Sequence, residues 1–372
     1  MTLRSKIAST LVTLVVVLVL VVGFTFGHDS PCANAPAVAS DATLMKAVVH
    51  RCYGSSAVLK LEDIEKPRPA GNELLVKVAA ASVNPADWHI MSGTPYIARM
   101  LFGTFRPQSP LLGSDFAGIV EAIGPNVKRF KPGDAVFGDA HGSFAEYLTV
   151  AEDGAIALKP SNVTLEQAAT VSMAGLYALQ ALRDPGRIHA GQRVLINGAS
   201  GGIGTFAVQI AKSFGADVTG VTSTRNVELV RSIGADHIVD YTRDDFTKGA
   251  NRYDLILDNV GNHSLLELRH ALNPDGVLIM NGLLGPNDDE WIKPLTPGLK
   301  ALLIAPFVTQ KFVTFFLRQP NARDTTIMRD LIETGKVRPV IDRAYPLSEL
   351  RTAISYLEQG HARGKVVISL QP

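Results

Sequence analysis

Cysteine is nearly absent, with Cys32 and Cys52 the only two in 372 residues. Two thiols cannot build a zinc ribbon or a disulfide framework, so a single bridge between them is the most they can make. Neither charge is in excess, because 36 basic residues stand against 35 acidic ones. This balance excludes the basic footprint of a nucleic-acid binder, and no acidic run marks a disordered tail. Long apolar runs are missing from everything after the first thirty residues; Leu299 to Leu317 is apolar but broken by Pro306, Gln310 and Lys311. What remains is a hydrophobic share of 46% spread over a length that suits about two globular domains.

The one unbroken apolar run, Ile7 to Gly27, has no charge, follows Arg4 and Lys6, and precedes Asp29. Its 21 residues can cross a bilayer as a single helix. A cleaved secretory signal is the competing reading, because Ala33, Asn34 and Ala35 form an A-x-A site, although the run exceeds the usual signal core. Residues 28–43, rich in Ala, Pro and Ser, read as a tether. Basic residues before the span place the N-terminus inside and the rest of the chain outside.

After the tether, strand patterns recur at Lys46 to His50, Leu59 to Asp63, Glu73 to Ala81, Leu112 to Gly124 and Ala135 to Gly138, separated by turn residues. This is a compact β domain. Thr164 to Leu182 follows with a helical period. Then comes the stretch around which the chain is organised: an apolar run Val194 to Ile196, the turn Asn197 to Gly204 reading NGASGGIG, a helical pattern to Phe214, and a second apolar run from Val218 to Thr222. Strand, glycine turn, helix and strand within about thirty residues make a dinucleotide-binding unit, with the helix's free N–H groups facing a pyrophosphate. Further strands are predicted at His237 to Asp240, Asp254 to Asp258 and Val277 to Asn281, with a sixth within Leu299 to Leu317 at a possible homodimer interface; a membrane-lying surface is the other reading of that run. Gly360 to Leu370 reads as a turn and a strand that returns to the β domain. The fold class is therefore α/β, a doubly wound parallel sheet plus a β-rich domain, divided as 1–43, 44–165, 166–318 and 319–372.

From Met45 to Leu370 the chain resembles the medium-chain dehydrogenase/reductase superfamily, in its zinc-lacking quinone oxidoreductase-like branch. The motifs that carry the resemblance are SVNPADW (Ser82 to Trp88), LLGSDFAGIVEAIG from Leu111, KPGDAVFG (Lys131 to Gly138), GSFAEY (Gly142 to Tyr147), NGASGGIG, GADHIVDY (Gly234 to Tyr241) and GHARGKVVI (Gly360 to Ile368). The resemblance implies a Rossmann sheet inserted into a GroES-like catalytic domain. Zinc members carry Cys, His and Cys where this chain has Asn84, Ser114 and the neighbourhood of Met173, so no metal is expected. Asp87 and Asp115 remain nearby as hydrogen-bonding scaffolding.

For the cofactor, the turn supplies Ser200, Gly201, Gly202, Ile203 and Gly204. The second strand ends in Thr222, Ser223, Thr224 and Arg225 with no acidic residue, which suits the 2′-phosphate of NADPH. Asn259 and Gly282 follow the fourth and fifth strands at the crevice, and the resemblance adds Tyr241, Arg363 and Lys365 as cofactor contacts. Asn84, in place of a metal ligand, is expected to donate to a carbonyl oxygen; His89 and Tyr96 on the same loop are candidate proton relays. The expected activity is NADPH-dependent, zinc-independent reduction of quinones or of the C=C bond of α,β-unsaturated carbonyls by a membrane-anchored enzyme. The rival is a membrane-tethered nucleotide-binding scaffold or sensor without turnover. NADPH is plentiful in the cytoplasm, which opposes the outward orientation that the flanking charges give.

Overall fold

The computed structural model describes residues 31–37, 39–281, 296–314 and 318–370. The apolar run at 7–27 and Gly282 lie outside the described residues. Among the described residues no helix is long and apolar enough to cross a membrane.

An antiparallel pair, β1 (Leu44–Val49) and β2 (Lys60–Glu65), opens the β domain. β3 (Glu73–Val83), β4 (Asp115–Ile123), β5 (Ala135–Asp139), β6 (Tyr147–Ala151) and β7 (Ile156–Leu158) continue it. From Leu74 to Val83 every residue of β3 except Lys77 is buried. A strand covered on both faces has no reason to alternate, which is why it reads as an almost continuous apolar run.

β8 (Arg193–Asn197), β9 (Asp217–Thr222), β10 (His237–Asp240), β11 (Tyr253–Asp258), β12 (Leu272–Met280) and β13 (Lys311–Thr314) form a parallel sheet in the order β10-β9-β8-β11-β12-β13. Chain order reverses between β8 and β11, so a crevice opens beyond the carboxyl ends of those two strands. β14 (Ile341–Pro346) and β15 (Lys365–Ser369) then rejoin the first sheet, where β15 lies antiparallel to β3 with Val366 opposite Val83. The C-terminal strand thus delivers Lys365 beside the end of β3. One hydrophobic core runs through both halves, uniting Leu179, Ile196, Phe206 and Leu257 with Ala80, Phe137 and Val367. Walls that share a core keep a fixed spacing, and the crevice between them is preformed.

The α/β class, parallel Rossmann sheet and β-rich domain are as expected, with three local differences. The helix predicted from Thr164 to Leu182 is two helices, Leu165–Ala168 and Ser172–Arg183. The break exposes the first N–H groups of the second helix, and Asp115 Oδ1 accepts from Met173 N at 2.5 Å. A carboxylate at a helix N-terminus is well placed for both hydrogen bonding and the helix dipole. The apolar run around residue 300 is a helix, Thr296–Ile304, before the short edge strand β13, and Pro306 stands in the turn that ends the helix. β14 is unforeseen: its Arg343, Tyr345 and Pro346 lack the apolar density of a strand, and its pairing with β15 supplies the structure instead.

Candidate active site

The glycine turn is closed by close approach of backbone to backbone. A Cβ on Gly204 would stand 2.1 Å from the carbonyl oxygen of Gly198, so only glycine lets the helix Gly202–Ser213 lie on the turn. Ser200 Oγ accepts from Thr222 Oγ1 at 2.9 Å and from Asn226 Nδ2 at 3.1 Å, which fixes the turn to the end of β9. The Ser200 carbonyl accepts from Gly364 N at 2.8 Å, so the C-terminal turn is fastened to the same place. Ile203 is partly buried against the main core.

Across the crevice, Asn197 Nδ2 donates to Asp258 Oδ1 at 2.8 Å and Asn259 Nδ2 donates to the Asn197 carbonyl at 3.2 Å, so β8 and β11 face each other as the strand order requires. Ser223 opens the turn after β9, where Asn226 Nδ2 reaches Ser223 Oγ at 3.3 Å. Arg225 donates through Nη2 to the His361 carbonyl at 3.0 Å. Tyr241 follows β10 with 58% of its surface exposed. Arg363 is exposed, with its backbone N–H on Asp342. Asp240, at the end of the neighbouring strand, is occupied by the Thr224 and Thr242 hydroxyls. These residues fit a phosphorylated dinucleotide: hydroxyls and a guanidinium line the strand end, the buried Asn226 Oδ1 beside the serines has no partner and can accept from a ribose hydroxyl, and Gly201, Gly202 and Gly204 add no side chain of their own.

At the end of β3 the chemistry is denser. Asn84 precedes the helix Pro85–Ser92, and its backbone N–H donates to Asp87 Oδ2 at 2.7 Å. Its amide nitrogen donates to the Ser82 carbonyl at 3.2 Å and to Asp115 Oδ2 at 3.1 Å. Ser82 Oγ donates to the same carboxylate oxygen at 2.6 Å. Lys365 Nζ completes the group, donating to Asn84 Oδ1 and, at 3.2 Å, to Asp115 Oδ2. Its stem passes over the phosphate turn, with Cδ 3.2 Å from where a Cβ on Gly202 would be. Next to them Arg318 donates to Met173 Sδ at 2.8 Å and to Asp139 Oδ2 at 2.5 Å.

Burial raises two carboxyls here. Asp87 is pushed up to about 7 by loss of solvent, with the neighbouring Asp115 adding to the rise. Asp139 is raised to about 6 for the same reason, against the pull of Arg318.

Two sequence expectations change here. Both amide hydrogens of Asn84 point at protein acceptors, so the charged donor of the cluster is Lys365. Lys365 itself is 3% exposed and reaches from the phosphate turn to Asn84 and Asp115. A strand whose first residue is a lysine gives no hint of this; only its pairing with β3 does. Arg318 carried no sequence signal, since it follows a broken apolar run. His89 and Tyr96 do not share a loop with Asn84: His89 stands in the helix Pro85–Ser92, with Nδ1 2.8 Å from the Thr94 carbonyl and its ring stacked on Trp88, and Tyr96 opens the next short turn, Tyr96–Ala98, and packs against the Arg99 guanidinium at 4.8 Å.

Comparison with known proteins agrees with this arrangement. Residues 70–161 match the alcohol dehydrogenase GroES-like domain and residues 233–368 match the zinc-binding dehydrogenase family. A mitochondrial NAD(P)H oxidoreductase of Mus musculus is 34% identical over 91% of this chain and 93% of its own length. The 2-methylene-furan-3-one reductase of Solanum lycopersicum is 33% identical over 87% of this chain and 79% of its own. The solved structure of the quinone oxidoreductase from Coxiella burnetii superimposes with a TM-score of 0.75 at 31% identity, covering 88% of this chain and all of that one. Zinc does not fit the donors present here. An amide, a hydroxyl and a thioether stand at the ligand positions, and the ammonium of Lys365 would oppose a second cation. Two family models matched in order, and relatives at a third identity along nine-tenths of the chain, leave one conclusion: the chain belongs to the medium-chain dehydrogenase/reductase superfamily, among its quinone oxidoreductase-like members.

Proposed function

We propose that this protein is an NADPH-dependent reductase of activated double bonds, taking α,β-unsaturated carbonyls or quinones. One observation carries the reading: the buried ammonium of Lys365, held by Asn84 and Asp115 at the point where zinc members of the superfamily bind metal. When bound, NADPH supplies the hydride. Hydride addition at the β-carbon moves an electron pair onto the carbonyl oxygen and spreads the charge over an enolate. Lys365 is the group that stabilises this oxygen, and Asn84 and Asp115 fix where its hydrogens point. The α-carbon then needs a proton. His89, with Nδ1 on the Thr94 carbonyl, and Tyr96, with its hydroxyl, are the candidate sources. Ser200, Gly201, Gly202, Gly204, Ser223 and Arg225 hold the phosphates and ribose; Tyr241, Asn259, Arg363 and Gly282 belong to the same proposed set. Deuterium at the reactive carbon of NADPH should appear on the β-carbon of the reduced enone. Its appearance on the carbonyl carbon, giving an allylic alcohol, would overturn the reading.

We also infer that residues 7–27 anchor the enzyme in a membrane, with the catalytic domain on an oxidising face. The bond between Cys32 and Cys52 supports that side, because disulfides persist where thiols are not kept reduced. The charges flanking the span support it too. This placement requires the cofactor on that face. Protease digestion of intact cells tests it: cleavage of the domain from outside supports the reading, and protection overturns it. A homodimer through the edge of the nucleotide sheet is supported by the open side of β13 and by Leu302, Leu303 and Phe307, which are 72%, 73% and 85% exposed beside it. Light scattering of the detergent-solubilised protein would return the monomer mass if this were wrong.

A further inference from the structure

We propose that the segment from Arg99 to Phe105 seats on the lipid bilayer that holds residues 7–27, so that the neighbouring turn carrying Tyr96 opens toward membrane-dissolved substrate. The inference rests on the proposed anchoring. Met100, Leu101 and Phe105 are 66%, 74% and 50% exposed. One exposed leucine is ordinary, but three large apolar side chains within six residues form a patch.

The arrangement around them is inverted relative to a water-facing surface. Arg99, between Ala98 and Met100, is 1% exposed; its Nε donates to the Gly93 carbonyl at 2.9 Å and its guanidinium stacks on Tyr53 at 4.4 Å. Tyr53 in turn donates its hydroxyl to the Gly103 carbonyl at 2.6 Å. The segment is thus held with its charge inward and its apolar side chains outward. Water alone favours the reverse orientation; a lipid surface favours this one.

The tether meets the same place. Cys52, the neighbour of Tyr53, is bonded to Cys32, and Ala33 N donates to the Arg51 carbonyl at 3.1 Å. From Gly27 at the end of the apolar run to Cys32 is five residue steps, at most about 18 Å of chain. Were the bond open, the leash would run to β1 at Leu44, roughly 60 Å. The disulfide therefore holds the Tyr53–Gly103 contact, and the patch on either side of it, close to the bilayer.

The test uses the full chain in phosphatidylcholine vesicles doped with a diazirine-bearing phospholipid, irradiated and mapped by mass spectrometry. Lipid adducts are expected on the peptide containing Met100 to Phe105 as well as on residues 7–27. In the Cys32→Ser, Cys52→Ser double variant, adducts at 7–27 should persist and those on the patch fall several-fold. The Leu101→Asp, Phe105→Asp variant should raise KM for a long-chain enone in vesicles by about tenfold and leave KM for a short, water-soluble enone unchanged, which also reports an intact fold. Adducts at 7–27 alone, adducts at Leu302 to Phe307 instead, or a patch signal indifferent to the cysteines would each overturn the proposal. No adducts anywhere would overturn it together with the anchoring. Turnover of the short enone reports on the reductase reading separately.

Discussion

Lys365 Nζ lies 3.2 Å from Asp115 Oδ2, although 250 residues separate the two in sequence. The last strand of the chain therefore carries a cation into the β domain and leaves it where a carboxylate, an amide and a hydroxyl converge. Removing one member of such a pair strands the other charge. Lys365→Met and Asp115→Asn should each cost about 3 to 5 kcal/mol of stability, and the double variant should recover most of that loss. Turnover separates structure from chemistry. In the double variant kcat for an enone should stay about a hundred- to a thousand-fold low, with KM little changed; recovery of both stability and kcat would reduce Lys365 to a structural role. Denaturant titration and steady-state kinetics on the four proteins measure this.

Asp87 gives the fold a pH dependence of definite sign. Its carboxyl titrates near 3.8 when unfolded and at about 7 in the folded chain, where burial disfavours the charge. The stabilisation is complete below the unfolded value and is lost as pH rises through the folded one, because the unfolded chain ionises first. Between pH 5 and pH 8 the loss is on the order of 2 to 3 kcal/mol. Asp87→Asn keeps an acceptor for Asn84 N and cannot ionise, so the stability gap between wild type and variant should shift by that amount, with the wild type relatively weaker at the higher pH. Urea melts of both proteins at the two pH values would show parallel behaviour if Asp87 were ionised throughout.

Arg225 should distinguish the two nicotinamide cofactors. A charge-assisted bond to the 2′-phosphate is worth roughly 1.5 to 3 kcal/mol. Arg225→Ala should raise KM for NADPH about ten- to a hundred-fold and barely move that for NADH. Equal effects on both would leave Arg225 with only its contact to His361.

Gly204 offers a purely steric test. An alanine there would place its Cβ 2.1 Å from the Gly198 carbonyl oxygen. The phosphate turn must then move away from the helix, and isothermal titration of Gly204→Ala should show NADPH binding weakened beyond detection. Wild-type affinity in a folded variant would mean that the turn is not the phosphate site.

How much was legible in the sequence follows from how local each determinant is. Asn197 to Gly204 could be read directly, because a glycine turn between a strand and a helix is specified by its own residues and neighbours. Register across the crevice was legible for the same reason: Asn197 opposite Asp258 follows from strand order. Lys365 was not legible, since its burial depends on β15 lying beside β3 and on Asn84, 281 residues away. Nor was the helix break before Ser172, after which Met173 N donates to Asp115. The partners of Asn84 were not legible either, because which acceptors satisfy an amide is settled only when Ser82 and Asp115 are in place.

In the proposed reaction a protein ammonium, in a site whose donors do not fit zinc, stabilises the charge formed during reduction. An enolate spreads the charge that reduction of a saturated ketone would concentrate on one alkoxide oxygen, so hydride addition to an enone asks less of the site. Steady-state oxidation of NADPH by the purified wild-type protein, with chelator present, compares the two directly. Enones or quinones should be turned over at rates the chelator does not change, and saturated ketones at least about a hundred-fold more slowly. Saturated ketones as the better substrates, loss of activity on chelation, or tight NADPH binding with no oxidation by any acceptor would contradict the account.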